Sequence, residues 1–235
     1  MEEGDVDALN LAVVESRWWK TGNCTVKGMF DILAEIQTGS PVNYHYEMFN
    51  NTASLREIMG RLAADRKIAN VYIASHGDKT GICGAAGNDD NFIPRKALGK
   101  LLKEATASRT GGLKGIYFGC CLVGNAKTAR ALLTPPDGND MGVRWVAGYV
   151  EEVGWVASSA VDIFFWNRYY EVSRKHEERR RKALKKGIDI RLHEATKVQQ
   201  VARFMRRFMP GAFRNLGLRV YIRDRAANVV EIGPP

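Results

Sequence analysis

Cysteine is scarce in this chain: four in 235 residues, at Cys24, Cys83, Cys120 and Cys121, with no Cys-x-x-Cys pair. That spacing excludes a disulfide-stapled scaffold and a structural zinc site, and it fits a reducing, cytoplasmic location. Long apolar runs are also missing. The longest, Trp155 to Trp166, is broken by Asp162 and followed closely by Arg168, so no membrane span is expected. The opening Met1-Glu2-Glu3 lacks the basic region that precedes the apolar stretch of a secretory signal. Neither Gly-x-x-x-x-Gly-Lys-Ser/Thr nor Gly-x-Gly-x-x-Gly occurs, which leaves a nucleotide phosphate cradle without support.

Apolar residues make up 45% of the chain and charged residues 26%, a globular rather than a disordered balance. The length suits one domain with a substantial core, taken as 1–235, with a core over about 8–165 and a helical, basic part over about 166–235. The net charge of +9 is unevenly spread. Residues 1–167 carry 17 Lys+Arg against 19 Asp+Glu; residues 168–235 carry 18 against 7. From Arg168 to Lys186 nine cations face three glutamates, a solvated cationic helix face. Such a face can also contact nucleic acid phosphates, an acidic regulatory protein or a membrane surface. Tyr169 and Tyr170 are too few to argue base stacking.

Apolar patterning alternates between strands and helices. Strands are expected at Leu9–Val14, Tyr44–Phe49, Val71–Ala74, Gly115–Phe118 and Val143–Val150, and late ones at Leu218–Ile222 and Val229–Ile232. Helices are expected at Thr25–Ile36, Leu55–Lys67, Ala97–Ala105, Asn125–Leu133, Ser158–Lys186 as one or two pieces, and Ile190–Phe208. Gly81–Gly84 and Gly87–Asn91 read as turns or a hairpin, and Thr134–Asp140 as a loop. The implied fold class is α/β, a mostly parallel sheet with helices on both faces.

In such sheets reactive groups gather at the carboxyl ends of the strands. One strand ends at Ser75-His76-Gly77-Asp78, and the next in sequence at Gly119-Cys120-Cys121. As neighbours, they would aim an imidazole and a thiol at one crevice. A thiol needs a base to become a nucleophile at neutral pH, and a histidine supplies it. Gly77 permits close backbone approach, and its N–H is a candidate oxyanion donor.

Ser75-His76-Gly77-Asp78 followed by Gly81-Ile82 resembles the histidine segment of caspase-like cysteine peptidases, the clan that includes the caspase, CHAT and metacaspase types. Lys114-Gly115-Ile116-Tyr117-Phe118-Gly119-Cys120-Cys121-Leu122-Val123-Gly124 resembles their nucleophile segment, in the same order and at a similar separation. The resemblance implies a caspase-hemoglobinase-like fold and a cysteine endopeptidase that hydrolyses a protein or peptide substrate, in settings such as regulated cell death or defence. It implies His76 as general base and acid, Gly77 as part of the oxyanion site, and no cofactor or metal.

Two registers place the nucleophile. One puts Cys120 at the small position before it and makes Cys121 the nucleophile; the other assigns Cys120. Adjacent side chains on an extended segment face opposite ways, so only one can serve, and Cys121 is preferred. A vicinal disulfide would block both. The stretch after the fifth strand lacks the arginine that reads an acidic side chain before the scissile bond. Glu151 and Glu152 would attract Arg or Lys there if they are not merely solvent-facing charges. Trp155 reads as a subsite wall or, more often for tryptophan, as core. Self-cleavage in Thr134–Met141 is a further expectation from the resemblance. His45 reads as a strand residue, His176 as part of a charged helix, and His193 as part of the amphipathic helix beside Glu194. The reading from another class is a non-enzymatic binding module that uses the basic C-terminal half. Charge reversal at Arg179–Lys182 would abolish that function, whereas a peptidase would lose activity on Cys121→Ala.

Overall fold

The structure, a computed structural model, describes residues 9–20, 24–86, 91–107, 112–134, 142–224 and 226–232. In chain order the elements are β1 (Leu11–Ser16), α1 (Lys27–Thr38), β2 (His45–Phe49), α2 (Thr52–Ala64) and β3 (Asn70–Ala74). A hairpin of β4 (Gly81–Cys83) and β5 (Phe92–Pro94) follows, then α3 (Arg95–Ala107), β6 (Gly115–Gly119), α4 (Ala126–Leu133) and β7 (Trp145–Tyr149). The chain closes with α5 (Trp155–Leu184), α6 (Glu194–Phe208), α7 (Pro210–Arg214), β8 (Leu218–Arg223) and β9 (Val229–Ile232).

Seven strands form one sheet in the order β2-β1-β3-β6-β7-β8-β9. The first five run parallel, while β8 and β9 are antiparallel to their neighbours. The parallel strands β1, β3 and β7 are buried along their whole length, as strands covered on both faces must be. One face packs on α1, α5, α6 and α7 through Phe30, Phe165, Trp166, Val201 and Phe213. The other packs on α2, α3 and α4 through Leu55, Met59, Leu101 and Leu132. The crossover after β1 uses one face and that after β3 the other. The direction in which strands are added to the sheet therefore reverses between these adjacent parallel strands, which places a crevice at their carboxyl ends.

Local chemistry sets the helix ends. The Asn51 side chain accepts from Ala53 N and Ser54 N, while Ser54 Oγ accepts from Asn51 N, a reciprocal cap that opens α2. Asn125 caps α4 through Lys127 N and Thr128 N. Several boundaries differ from the sequence expectation, among them the helix expected at Leu55–Lys67, which spans Thr52–Ala64. The helix expected from Ser158 begins at Trp155 and is a single 30-residue helix. The helix expected from Ile190 begins at Glu194. Gly187, at φ 74°, ends α5 with Gly187 N donating to Leu184 O and Ile188 N to Ala183 O. The chain then runs back along α5, with Leu192 N donating to His176 Nε2, and His193 serves as the N-cap of α6 rather than as a helical residue. Most of the loop expected at Thr134–Asp140, and the cleavage segment proposed up to Met141, lies outside the described residues.

No described helix is long and apolar enough to cross a membrane.

Candidate functional site

β3 and β6 are hydrogen-bonded neighbours, with Ala74 paired to Gly119, so the segments that follow them leave the sheet side by side. His76 and Cys121 line one small crevice of about 90 Å³, together with Trp18 after β1, Ser75, Gly119, Val153, Trp155 and Ser158. The His76 ring packs edge-on against Trp18, with 4.5 Å between centroids. Partial burial holds the imidazole below its ordinary pKa, so at neutral pH it is an uncharged base. Among the described residues no hydrogen bond joins the imidazole to a thiol.

All four cysteines are free. The two adjacent ones have opposite environments, although they lie in the bend and turn that follow β6 and not on an extended segment. Cys120 is 1% exposed and its thiol donates to Ile73 O at 3.2 Å. Burial first, and then the neighbouring Cys121, push that thiol far above its usual range, so Cys120 is an inert core residue. Cys121 is only partly buried and opens onto the crevice. Its Sγ accepts from Val153 N at 3.4 Å and lies 3.7 Å from Val153 O.

The turn around Cys121 is tied to the elements beside it. Leu122 holds a positive φ of 62°, a strained conformation for a leucine. Its N–H donates to Glu151 O at 3.4 Å and its carbonyl accepts from Asn125 Nδ2 at 2.9 Å. Gly124 N donates to Tyr149 O, and a Cβ on Gly124 would fall 2.2 Å from the Gly148 carbonyl carbon. Gly77 presses on the same turn, since a Cβ there would lie 2.5 Å from Cys121 O and 3.1 Å from Cys120 Cβ. Gly77 pairs with Ile82 in an isolated bridge whose bonds, Cys83 N to His76 O and Asp78 N to Gly81 O, leave the Gly77 N–H without an acceptor among the described residues.

Asp78 belongs to the turn rather than to the crevice. Its carboxylate accepts from the side chain and backbone of Thr80 and from Gly81 N, and the Thr80 hydroxyl above all holds its pKa below the ordinary value. Trp155 is 44% exposed, lines the crevice and is not part of the core. Glu151 and Glu152 are exposed beside crevice-lining Val153 but do not themselves line the crevice. His45 lies in β2 hydrogen-bonded to Glu47.

Beneath the crevice lies a polar cluster that sequence patterning did not assign. Asp162 of α5 is 1% exposed and accepts hydroxyls from Tyr72 at 2.6 Å, Tyr149 at 2.6 Å and Tyr117. Burial raises its pKa to about 6, and the three tyrosyl donors oppose that rise. Tyr72 also lines the crevice, and a Cβ on Gly119 would sit 2.1 Å from its hydroxyl. The available signal was the one carboxylate in the apolar run Trp155–Trp166, with a tyrosine in each of three strands.

A larger groove of about 570 Å³ lies between α3 and α4, away from His76 and Cys121, and its lining contains neither histidine nor cysteine. Among the described residues no group of three or more His, Cys, Asp or Glu side chains is placed to hold a metal ion. No protein-family model matches the chain, and comparison with curated proteins finds none of similar sequence.

Proposed function

We propose that the chain is a caspase-like cysteine endopeptidase with Cys121 as nucleophile and His76 as its base. The observation that supports this reading most is the placement of both side chains on one crevice, at the carboxyl ends of adjacent parallel strands. The β4–β5 hairpin directly after His76 fits the same resemblance, as does a mostly parallel sheet covered on both faces.

In this mechanism His76 takes the Cys121 proton and the thiolate adds to the scissile carbonyl carbon. Hydrogen bonds between catalytic groups often tighten only once substrate is bound. Val153 N–H already points at Cys121 Sγ and would remain a donor to the thiolate. The carbonyl oxygen becomes an oxyanion, which the N–H groups of Gly77 and Cys121 would stabilise. As the C–N bond breaks, the His76 imidazolium protonates the departing amine. Water, deprotonated by His76, then hydrolyses the thioester and returns Cys121 to its starting state. Trp155 would wall a subsite, and the exposed Glu151 and Glu152 would favour a basic side chain before the scissile bond.

The test is hydrolysis of a peptide library with Arg, Lys, Asp and Asn varied before the scissile bond. Wild type is run beside Cys120→Ala, Cys121→Ala and His76→Ala. Cleavage after Arg or Lys, kept by Cys120→Ala and abolished by the other two, is the expected result. Cleavage that persists in Cys121→Ala, or none by the wild type, would overturn the reading.

A further inference from the structure

α5 is longer than the sheet it covers. Its buried side chains end at Val172, where the helix passes the start of the strands: Tyr169 Oη meets Asn70 of β3, and Tyr170 Oη meets Asn10 just before β1. From 173 to 194 no residue is buried. The last turns of α5 and the returning segment 188–193 therefore form a spur, closed by the Gly187 turn and by the Arg180–Asp189 and Arg191–Asp189 pairs.

The spur's tip combines two features. Leu184, Ile188 and Ile190 are 46%, 54% and 36% exposed. Around them Arg179, Arg181, Lys182, Lys185 and Lys186 carry no ion pair with any described residue. Solvated cations alone would suit any polyanion. Three exposed aliphatic side chains among them suit a surface that is anionic outside and apolar just beneath. Clusters of four to eight Lys and Arg are the pattern that anionic leaflets attract. A nucleic acid would use the cations, but the spur offers no Phe, Tyr or Trp for stacking and would leave the aliphatic groups in water.

We propose that this spur docks the protein on an anionic lipid bilayer. Leu184, Ile188 and Ile190 enter the boundary between headgroups and acyl chains, and the five cations meet lipid phosphates. Ser158, beside the crevice, is 26 helical residues from Leu184 along α5, or about 39 Å. Docking in this way holds the crevice away from the membrane, open to a substrate in solution.

The test is flotation of the full-length protein with phosphatidylcholine vesicles and with vesicles containing phosphatidylserine, at low and moderate salt. Wild type should bind the anionic vesicles at least tenfold more tightly and weaken as salt rises. Leu184→Asp with Ile188→Asp should lose binding roughly tenfold or more, as should Arg181→Glu with Lys185→Glu. Neither pair touches the core, so melting temperatures should match wild type. Equal binding to both vesicle types, or unchanged binding by the Leu184/Ile188 variant, would overturn the proposal. So would salt-sensitive binding to duplex DNA or to an acidic peptide by a protein that ignores the anionic vesicles.

Discussion

Replacing Asp162 with asparagine should change how stability depends on pH, with a size that follows from the carboxylate's surroundings. In the folded protein its pKa is raised from 3.8 to about 6, chiefly by burial. The folded state therefore holds this proton more tightly than the unfolded chain. The stabilisation is fully present below about pH 4 and is lost as pH rises through about 6. A shift of about two units corresponds to roughly 3 kcal/mol. Asparagine cannot titrate, so Asp162→Asn should gain about 3 kcal/mol relative to wild type between pH 3.5 and 7.5. Other carboxylates, Glu47 and Asp78 among them with lowered values, are common to both proteins and cancel in the difference. The cost of turning an amide N–H₂ toward three tyrosine hydroxyls is independent of pH and cancels in the slope. Urea unfolding followed by tryptophan fluorescence at several pH values gives the difference directly. A gap between the two proteins that stays constant across that range would refute the reasoning. It would mean that the tyrosine donors hold the carboxylate at its ordinary pKa.

Three further outcomes follow from close contacts. Gly115→Ala places a Cβ 1.9 Å from the Trp145 ring and should cost about 3 kcal/mol in urea unfolding. Asn125→Ala removes the α4 cap and the bond to Leu122 O; it should cost about 1 kcal/mol and slow alkylation or turnover at Cys121 more than that loss alone explains. Iodoacetamide under native conditions should modify Cys121 while Cys120 reacts roughly a hundredfold more slowly, read by peptide mass mapping.

Much of the architecture was legible because the parallel strands are short runs of Val, Ile, Leu and aromatic residues between recognisable stops. Val71–Ala74 and Gly115–Phe118 fall within one residue of the observed β3 and β6 at each end. That placement puts His76 and Cys121 just after strands successive in sequence, and the β3–β6 pairing makes those strand ends neighbours. Strand alternation predicts opposite environments for Cys120 and Cys121, but β6 ends at Gly119 and it is the turn after the strand that buries one thiol and leaves the other at the crevice. The boundary of α6 was not, because Ile190 and Leu192 extend the helical spacing backward. Gly187, the His176 acceptor and the His193 cap decide the boundary, and these are tertiary and capping effects. The Asp162–tyrosine cluster was hidden by distance, since Tyr72, Tyr117, Tyr149 and Asp162 converge only once the sheet and α5 have packed. Trp155 looked like core because tryptophans usually are; its place on the first turn of α5, beside the crevice, follows from where the helix starts.

The central claim is that Cys121, served by His76, is the nucleophile. Its most direct test is covalent trapping with a peptidyl chloromethyl ketone bearing arginine, followed by intact mass and peptide mapping. Wild type and Cys120→Ala should each gain one adduct on Cys121, and Cys121→Ala none. His76→Ala should react roughly a hundredfold more slowly, the loss expected when a base no longer prepares the thiolate. An adduct on Cys120, or the same trapping rate with and without His76, would contradict the account.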